Sequence, residues 1–112
     1  MQLTVGMIHN ATEEIAHADK YPKIRVFTAA LKESETPIEE LLGIVLNWSP
    51  ASRASIGGPD WQHMSAVCWL YGRMIHVALD GRPIGLIAAS FGGTVIEHWI
   101  PPQVIQDCNN TV

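Results

Sequence analysis

A chain of 112 residues is long enough for one domain, and a chain of that size buries roughly two thirds of the surface its unfolded form exposes. With 47% hydrophobic and 16% charged residues it lies far from the composition of disordered chains. A formal net charge of −4, with seven Lys and Arg scattered singly, argues against nucleic acid and anionic membrane as partners.

In chain order, Asn10 followed by Glu13 has the form of a capping box and predicts a short helix through Asp19, which Tyr21-Pro22 stops. Ile24-Arg25-Val26-Phe27-Thr28 alternates around β-branched residues and predicts a strand over 23–30. In LKESETPIEELLG, Thr36 as cap, Pro37 at the first position and Glu39 at the third predict a second helix, ended by Gly43. The four glutamates of that stretch read as a solvated surface. The Ser/Gly/Pro-rich segment NWSPASRASIGGPD, 47–60, reads as a loop.

From Trp61 to Asp80 the apolar positions Val67, Leu70, Tyr71, Met74, Ile75, Ala78 and Leu79 recur at three and four, which marks an amphipathic helix, and Gly81 with Pro83 ends it. Ile84 to Ala89 is a continuous apolar run too short for a helix, as expected of a parallel strand covered on both faces. After Gly92-Gly93, Thr94 is placed to cap a last short helix carrying Glu97 and Trp99. Strand, helix, strand, helix in that order is the α/β class.

No apolar run approaches the roughly 20 residues of a membrane span, and the N-terminal MQLTVGMIHNATEE lacks the charged segment and cleavage site of a signal peptide. Against an unexported chain stand three N-x-[ST] matches, at Asn10, Asn47 and Asn109, each of which also fits ordinary cap and turn chemistry. Cys68 sits within the helical pattern, where a buried inert thiol is the simpler reading; whether it pairs with Cys108 is open. The five histidines show no metal-ligand spacing, so neither a metal nor another cofactor is expected.

The chemistry concentrates in Ala88-Ala89-Ser90-Phe91-Gly92-Gly93. This is one glycine short of the G-x-S-x-G elbow that exposes a nucleophilic serine, so Ser90 is one candidate. A serine nucleophile requires a base and an orienting acid, and downstream of Ser90 only His98 and Asp107 are available, in the reverse of the elbow enzymes' chain order. Glu97 precedes His98, but sequence neighbours on one helix point apart. The alternative lies in the glycines. Beyond the carboxyl end of a parallel strand, Gly92 and Gly93 let the backbone approach a bound group, and their amides suit an oxyanion. A plain tight turn has the same spelling.

The segments YPKIRVF, the tryptophan of NWS, MSAVCWLYGR and PIGLIAASFGGTVIEHW together resemble the sialate O-acetylesterases, members of the SGNH-type hydrolases, over Met1 to about Cys108. The resemblance implies part of a flavodoxin-like α/β/α sandwich. It makes Met1-Gln2-Leu3-Thr4-Val5 the continuation that follows the asparagine of the family's Gly-Gln-Ser-Asn-Met nucleophile motif, so the nucleophile and the first central strand are expected to be missing. The family's Asp-x-x-His block has no counterpart either. By the same resemblance Ser90 is not the nucleophile, and Gly92 or Gly93 lends a backbone amide to the oxyanion hole. Ser90, Phe91, Thr94, Glu97 and Trp99 are the substrate-pocket candidates, Glu97 fixing the loop rather than catalysing. Ala89, Phe91, Val95 and His98 depart from the family pattern and are placed to reshape the acyl or sugar pocket.

The implied function is hydrolysis of O-acetyl esters of sialic acids, such as the 9-O-acetyl ester, by a serine outside this chain, with an O-acetylated sialic acid or sialoglycan as substrate. The alternative is an inactive truncated isoform that only binds glycans or other chains. A lysosomal or secreted location would agree with the three sequons. Without a central neighbour the strands at 23–30 and 84–89 are expected to leave edges and apolar faces open, so that the remainder of the catalytic domain is needed for folding.

Overall fold

The computed structural model describes residues 2–58 and 63–109. Three strands form one sheet in the order β2-β1-β3: β1 (Ile24–Ala29), β2 (Ile44–Pro50) and β3 (Ile84–Ala88). β1 is central. It runs parallel to β3 in continuous register from Ile24 opposite Ile84 to Thr28 opposite Ala88, and antiparallel to β2 with irregularities on either side of Thr28. The two predicted strands, expected to depend on a central neighbour that is missing, instead pair directly with each other, with no strand between them. The chain is a mixed α/β fold, as its alternation of elements implies.

Helix α1 (Ala11–His17) continues through a 3-10 turn to Lys20. Its start differs from the expected capping box. Asn10 takes φ 59° and makes no side-chain cap; its carbonyl instead accepts from the amides of Glu13 and Glu14, each at 3.1 Å. The helix expected after Thr36 does not form. Its apolar residues Ile38, Leu41 and Leu42 stay exposed. A six-residue segment with no surface to bury against does not recover the cost of helix nucleation, whatever its cap. The segment read as a loop from 47 onward holds the end of β2 and a short helix, α2 (Arg53–Ile56), whose N-cap Ser52 and Ser55 form a reciprocal capping box. A further helix, α4 (Pro102–Asn109), follows where none was expected.

The long helix, α3 (Ala66–Ala78), starts five residues later than its periodicity suggests, capped by Ser65, whose Oγ accepts from Cys68 N at 3.3 Å; of the expected extra residues, 61 and 62 lie outside those described. Gly81, at φ +76°, donates to the carbonyl of His76 at 2.9 Å and closes the helix end. The face that packs is not the one the apolar spacing marks. Ala66, Trp69, Gly72 and His76 are buried, whereas Val67, Tyr71, Met74 and Val77 form a stripe facing solvent, Tyr71 being 68% exposed. The cause is Gly72: a Cβ there would lie 2.4 Å from Leu86 Cδ2, so only this face lets the helix approach β3 so closely. The other face of β3 is likewise open, with Ile87 at 58% exposure, which corrects the expectation of a strand covered on both sides.

Trp69 anchors the core with Ile24, Ile56, Met64, Val5 and Val26, all fully buried. Its indole N–H donates to Glu14 Oε1 at 2.8 Å, and Arg73 Nε ion-pairs with the same oxygen at 2.7 Å, so one carboxylate ties α1 to α3. Tyr21 packs edge-on against both Trp69 and His76. Cys68 and Cys108 are free thiols; Cys68 is half-buried rather than fully so, and desolvation pushes its pKa up. Trp69→Ala removes the largest buried side chain and leaves Glu14 without its indole donor. It should lower the unfolding free energy by about 3–5 kcal/mol, read from urea midpoints at unchanged slope.

Candidate functional site

β3 ends at Ala88, and the chain then turns through Ala89-Ser90-Phe91-Gly92-Gly93-Thr94. A parallel strand delivers this turn to the end of the sheet where α/β proteins bind ligands. Gly93 takes φ +80°, a conformation that glycine reaches without strain, and a Cβ there would meet nothing within 4 Å, so the backbone is uncrowded on that side. Among the described residues no acceptor is within hydrogen-bond reach of Gly93 N–H. Gly92 differs. Its N–H donates to Gln2 Oε1 at 2.8 Å.

Thr94 holds the far side of the turn. Its hydroxyl donates to the carbonyl of Phe91 at 2.7 Å and accepts from the indole N–H of Trp99 at 2.9 Å. Thr94 was expected to cap a helix. Instead Val95 precedes a 3-10 turn, Ile96–Trp99, and Thr94 makes no cap bond because both its hydroxyl contacts are spent on Phe91 and Trp99. Glu97 and Trp99 are exposed, Ser90 and Phe91 half-buried. Phe91, Thr94, Glu97 and Trp99 line one cavity of about 700 Å³ together with the acidic segment 32–42, including Lys32 and Glu39. The lining thus combines aromatic side chains with polar and acidic ones.

Ser90 is engaged in an interaction of its own. The histidine nearest the core, His76, is committed through Nδ1 to the carbonyl of Arg82 at 2.7 Å, and Asp107 Oδ1 accepts from Gln103 Nε2 at 2.9 Å. The sequon asparagines Asn10 and Asn47 lie exposed, Asn47 Oδ1 accepting from Trp48 N at 2.8 Å, while the side chain of Asn109 lies outside those described. Among the described residues no three His, Cys, Asp or Glu side chains gather as metal ligands, and no helix is long and apolar enough to cross a membrane.

Gln2 is the residue that pattern reading missed as part of the site. It is 90 positions from Gly92, and no local signal in the sequence joins them. Removing the Thr94 hydroxyl, as in Thr94→Val, should loosen the turn by about 1–2 kcal/mol for two lost hydrogen bonds. The expected readout is faster exchange of the His98 and Ile100 amides, which bond to Val95 O and Glu97 O, with the Trp69 amide unchanged.

No family model matches the chain. Curated relatives do. The sialate O-acetylesterase of Mus musculus is 38% identical over 108 residues, and that of Homo sapiens 39% over 108; each match takes in 96% of this chain and 20% of the relative. Among solved structures, a carbohydrate acetylesterase from Xanthomonas citri superposes with a TM-score of 0.78 at 23% identity, over 100% of this chain and 24% of that one, and so shares its fold. The chain spans about a fifth of the length of the curated relatives it matches, and by that similarity it belongs to the sialate O-acetylesterase family.

Proposed function

We propose that this chain supplies the oxyanion-binding turn and part of the sugar pocket of an esterase that removes acetyl groups from O-acetylated sialic acids, the nucleophilic serine lying outside this chain. The observation that carries the reading is the contact between Gln2 and Gly92 at 2.8 Å. The resemblance to the family places Gly-Gln-Ser-Asn directly ahead of Met1. A serine three positions before Gln2 is within about 11 Å of it even along a fully extended chain, on the side of the molecule where the Gly92-Gly93 turn sits.

In this mechanism the serine hydroxyl, its proton taken by a base, attacks the acetyl carbonyl. The carbonyl oxygen becomes an oxyanion, and a backbone N–H of the Gly-Gly turn donates to it. The tetrahedral species expels the sugar hydroxyl, leaving an acetyl-serine. Water then attacks in the same way and releases acetate. A preorganised amide of this kind is worth about 10²–10³ in kcat. Phe91 and Trp99 offer the ring faces against which a sugar packs, and Thr94 keeps Trp99 in place.

Fluorophosphonate labelling with mass-spectrometric mapping tests this. In the complete protein the adduct is expected on the serine of Gly-Gln-Ser-Asn; an adduct on Ser90, abolished by Ser90→Ala in a folded chain, would make Ser90 the nucleophile and overturn the reading. The exposed stripe of α3 and the open face of β3 support a second element of the proposal, that the rest of the catalytic domain covers them. Dye binding to apolar surface should then be strong for the 112-residue chain and weak for the complete protein.

The location proposed for the complete protein is lysosomal or secreted, supported by the exposure of Asn10 and Asn47. Expression through a eukaryotic secretory route should give a glycosidase-sensitive mass increase that maps to these asparagines; no increase at either would count against it.

A further inference from the structure

Which amide of the Gly-Gly turn meets an oxyanion depends on what the other one does. Gly92 N–H is already bonded to Gln2 Oε1, and a Cβ on Gly92 would stand 2.6 Å from that oxygen, so a side chain there would push the Gln2 amide aside. Gln2 is not free to wander. The backbone beside it is fixed to the start of α3: Leu3 O accepts from Ala66 N at 2.7 Å, Thr4 bridges Ser65, and Val5 N donates to Met64 O at 3.4 Å. Thr4 and Val5 are fully buried. The segment 2–5 is thus a brace between the N-terminus of α3 and the turn after β3, and the Gln2 amide is its contact with the turn.

We propose that Gln2 is a positioning residue of the esterase site: its side-chain carbonyl holds Gly92 N–H, orients the turn, and leaves Gly93 N–H as the amide that donates to the oxyanion. This rests on the esterase reading for its chemistry but on the hydrogen bond alone for its geometry. An amide carbonyl suits the task because it accepts from Gly92 without placing a negative charge beside a developing oxyanion, whereas a carboxylate would accept equally well and oppose that charge.

The test is amide hydrogen exchange by NMR on the full 112-residue chain, for the unmodified sequence, for Gln2→Met, which keeps the length and loses the acceptor, and for Gln2→Glu, which keeps an acceptor. Gly92 should exchange about tenfold more slowly than Gly93 in the unmodified chain, as expected for one hydrogen bond. It should lose that protection in Gln2→Met and regain it in Gln2→Glu, with the Trp69 amide constant. Equal exchange of Gly92 and Gly93 in the unmodified chain overturns the proposal even if Gln2→Met fails to fold; so does protection of Gly92 that survives in a folded Gln2→Met.

Kinetics of the complete protein on an acetyl ester supply the second readout. Gln2→Met is expected to lower kcat about tenfold with KM within about twofold. Gln2→Glu is expected to lower kcat as well despite restoring the Gly92 bond, a split that a merely structural role would not give. A protected Gly92 in a complete protein that hydrolyses no acetyl ester would overturn the esterase reading while upholding Gln2 as the residue that holds the turn.

Discussion

The distance between α3 and β3 is the constraint on which the rest of the structure depends. Gly72 lets Leu86 lie against the helix backbone where any side chain would collide with it. That contact fixes the rotation of α3, turns Trp69 inward, and brings its indole to Glu14, which in turn recruits Arg73 and holds α1 against the helix. A charge-assisted pair is costly to bury alone, but here the carboxylate is shared by a buried indole and a guanidinium at the rim of the core, where Glu14 and Arg73 remain partly solvated. The neighbouring Tyr21 ring closes the cluster from the side.

The same constraint decides where the Gly-Gly turn is placed. With β3 seated on α3 and paired in register with β1, its last residue, Ala88, stands at the end of the sheet, and the Gly92-Gly93 turn projects beyond it. The start of α3 is bound to the segment Leu3–Val5, so the N-terminal residues arrive at the turn from the helix side, and Gln2 closes the circuit. Helix, strand end and N-terminal segment therefore converge on two backbone amides. One of them is held by Gln2, and the other makes no hydrogen bond among the described residues.

The sheet is finished on one face only. α3 covers Leu86 and Val26, while Ile87, Trp48 and the outer stripe of α3 meet solvent. Trp48 partly compensates by packing on Phe27 and reaching over Gly85, whose missing side chain makes room for the indole. The relatives are about five times longer, and the acetylesterase that shares this fold carries it within a chain of which this is 24%.

Local pattern was enough for β1, for β3, for the existence of α3 and for the Gly-Gly turn, because each is written in residues within a few positions of one another: β-branched alternation, an unbroken apolar run, a helical period, two adjacent glycines. The resemblance of MSAVCWLYGR and PIGLIAASFGGTVIEHW to the sialate O-acetylesterases was equally legible and agrees with the relatives found. Pattern failed where stability comes from elsewhere in the chain. The cap and first-turn residues at 36–39 spell a helix, but Ile38, Leu41 and Leu42 stay exposed; Ile44–Pro50 looks half like a loop yet becomes a strand because β1 offers it an edge. The apolar stripe of α3 was visible, but which face turns inward was not, since Gly72 is conspicuous only once Leu86 is beside it. The sequence by itself determined the α/β class, the family and the Gly-Gly turn after β3. Only the tertiary structure decided the strand order, the buried face of α3 and the pairing of Gln2 with Gly92, because each rests on a contact between residues that no periodicity connects.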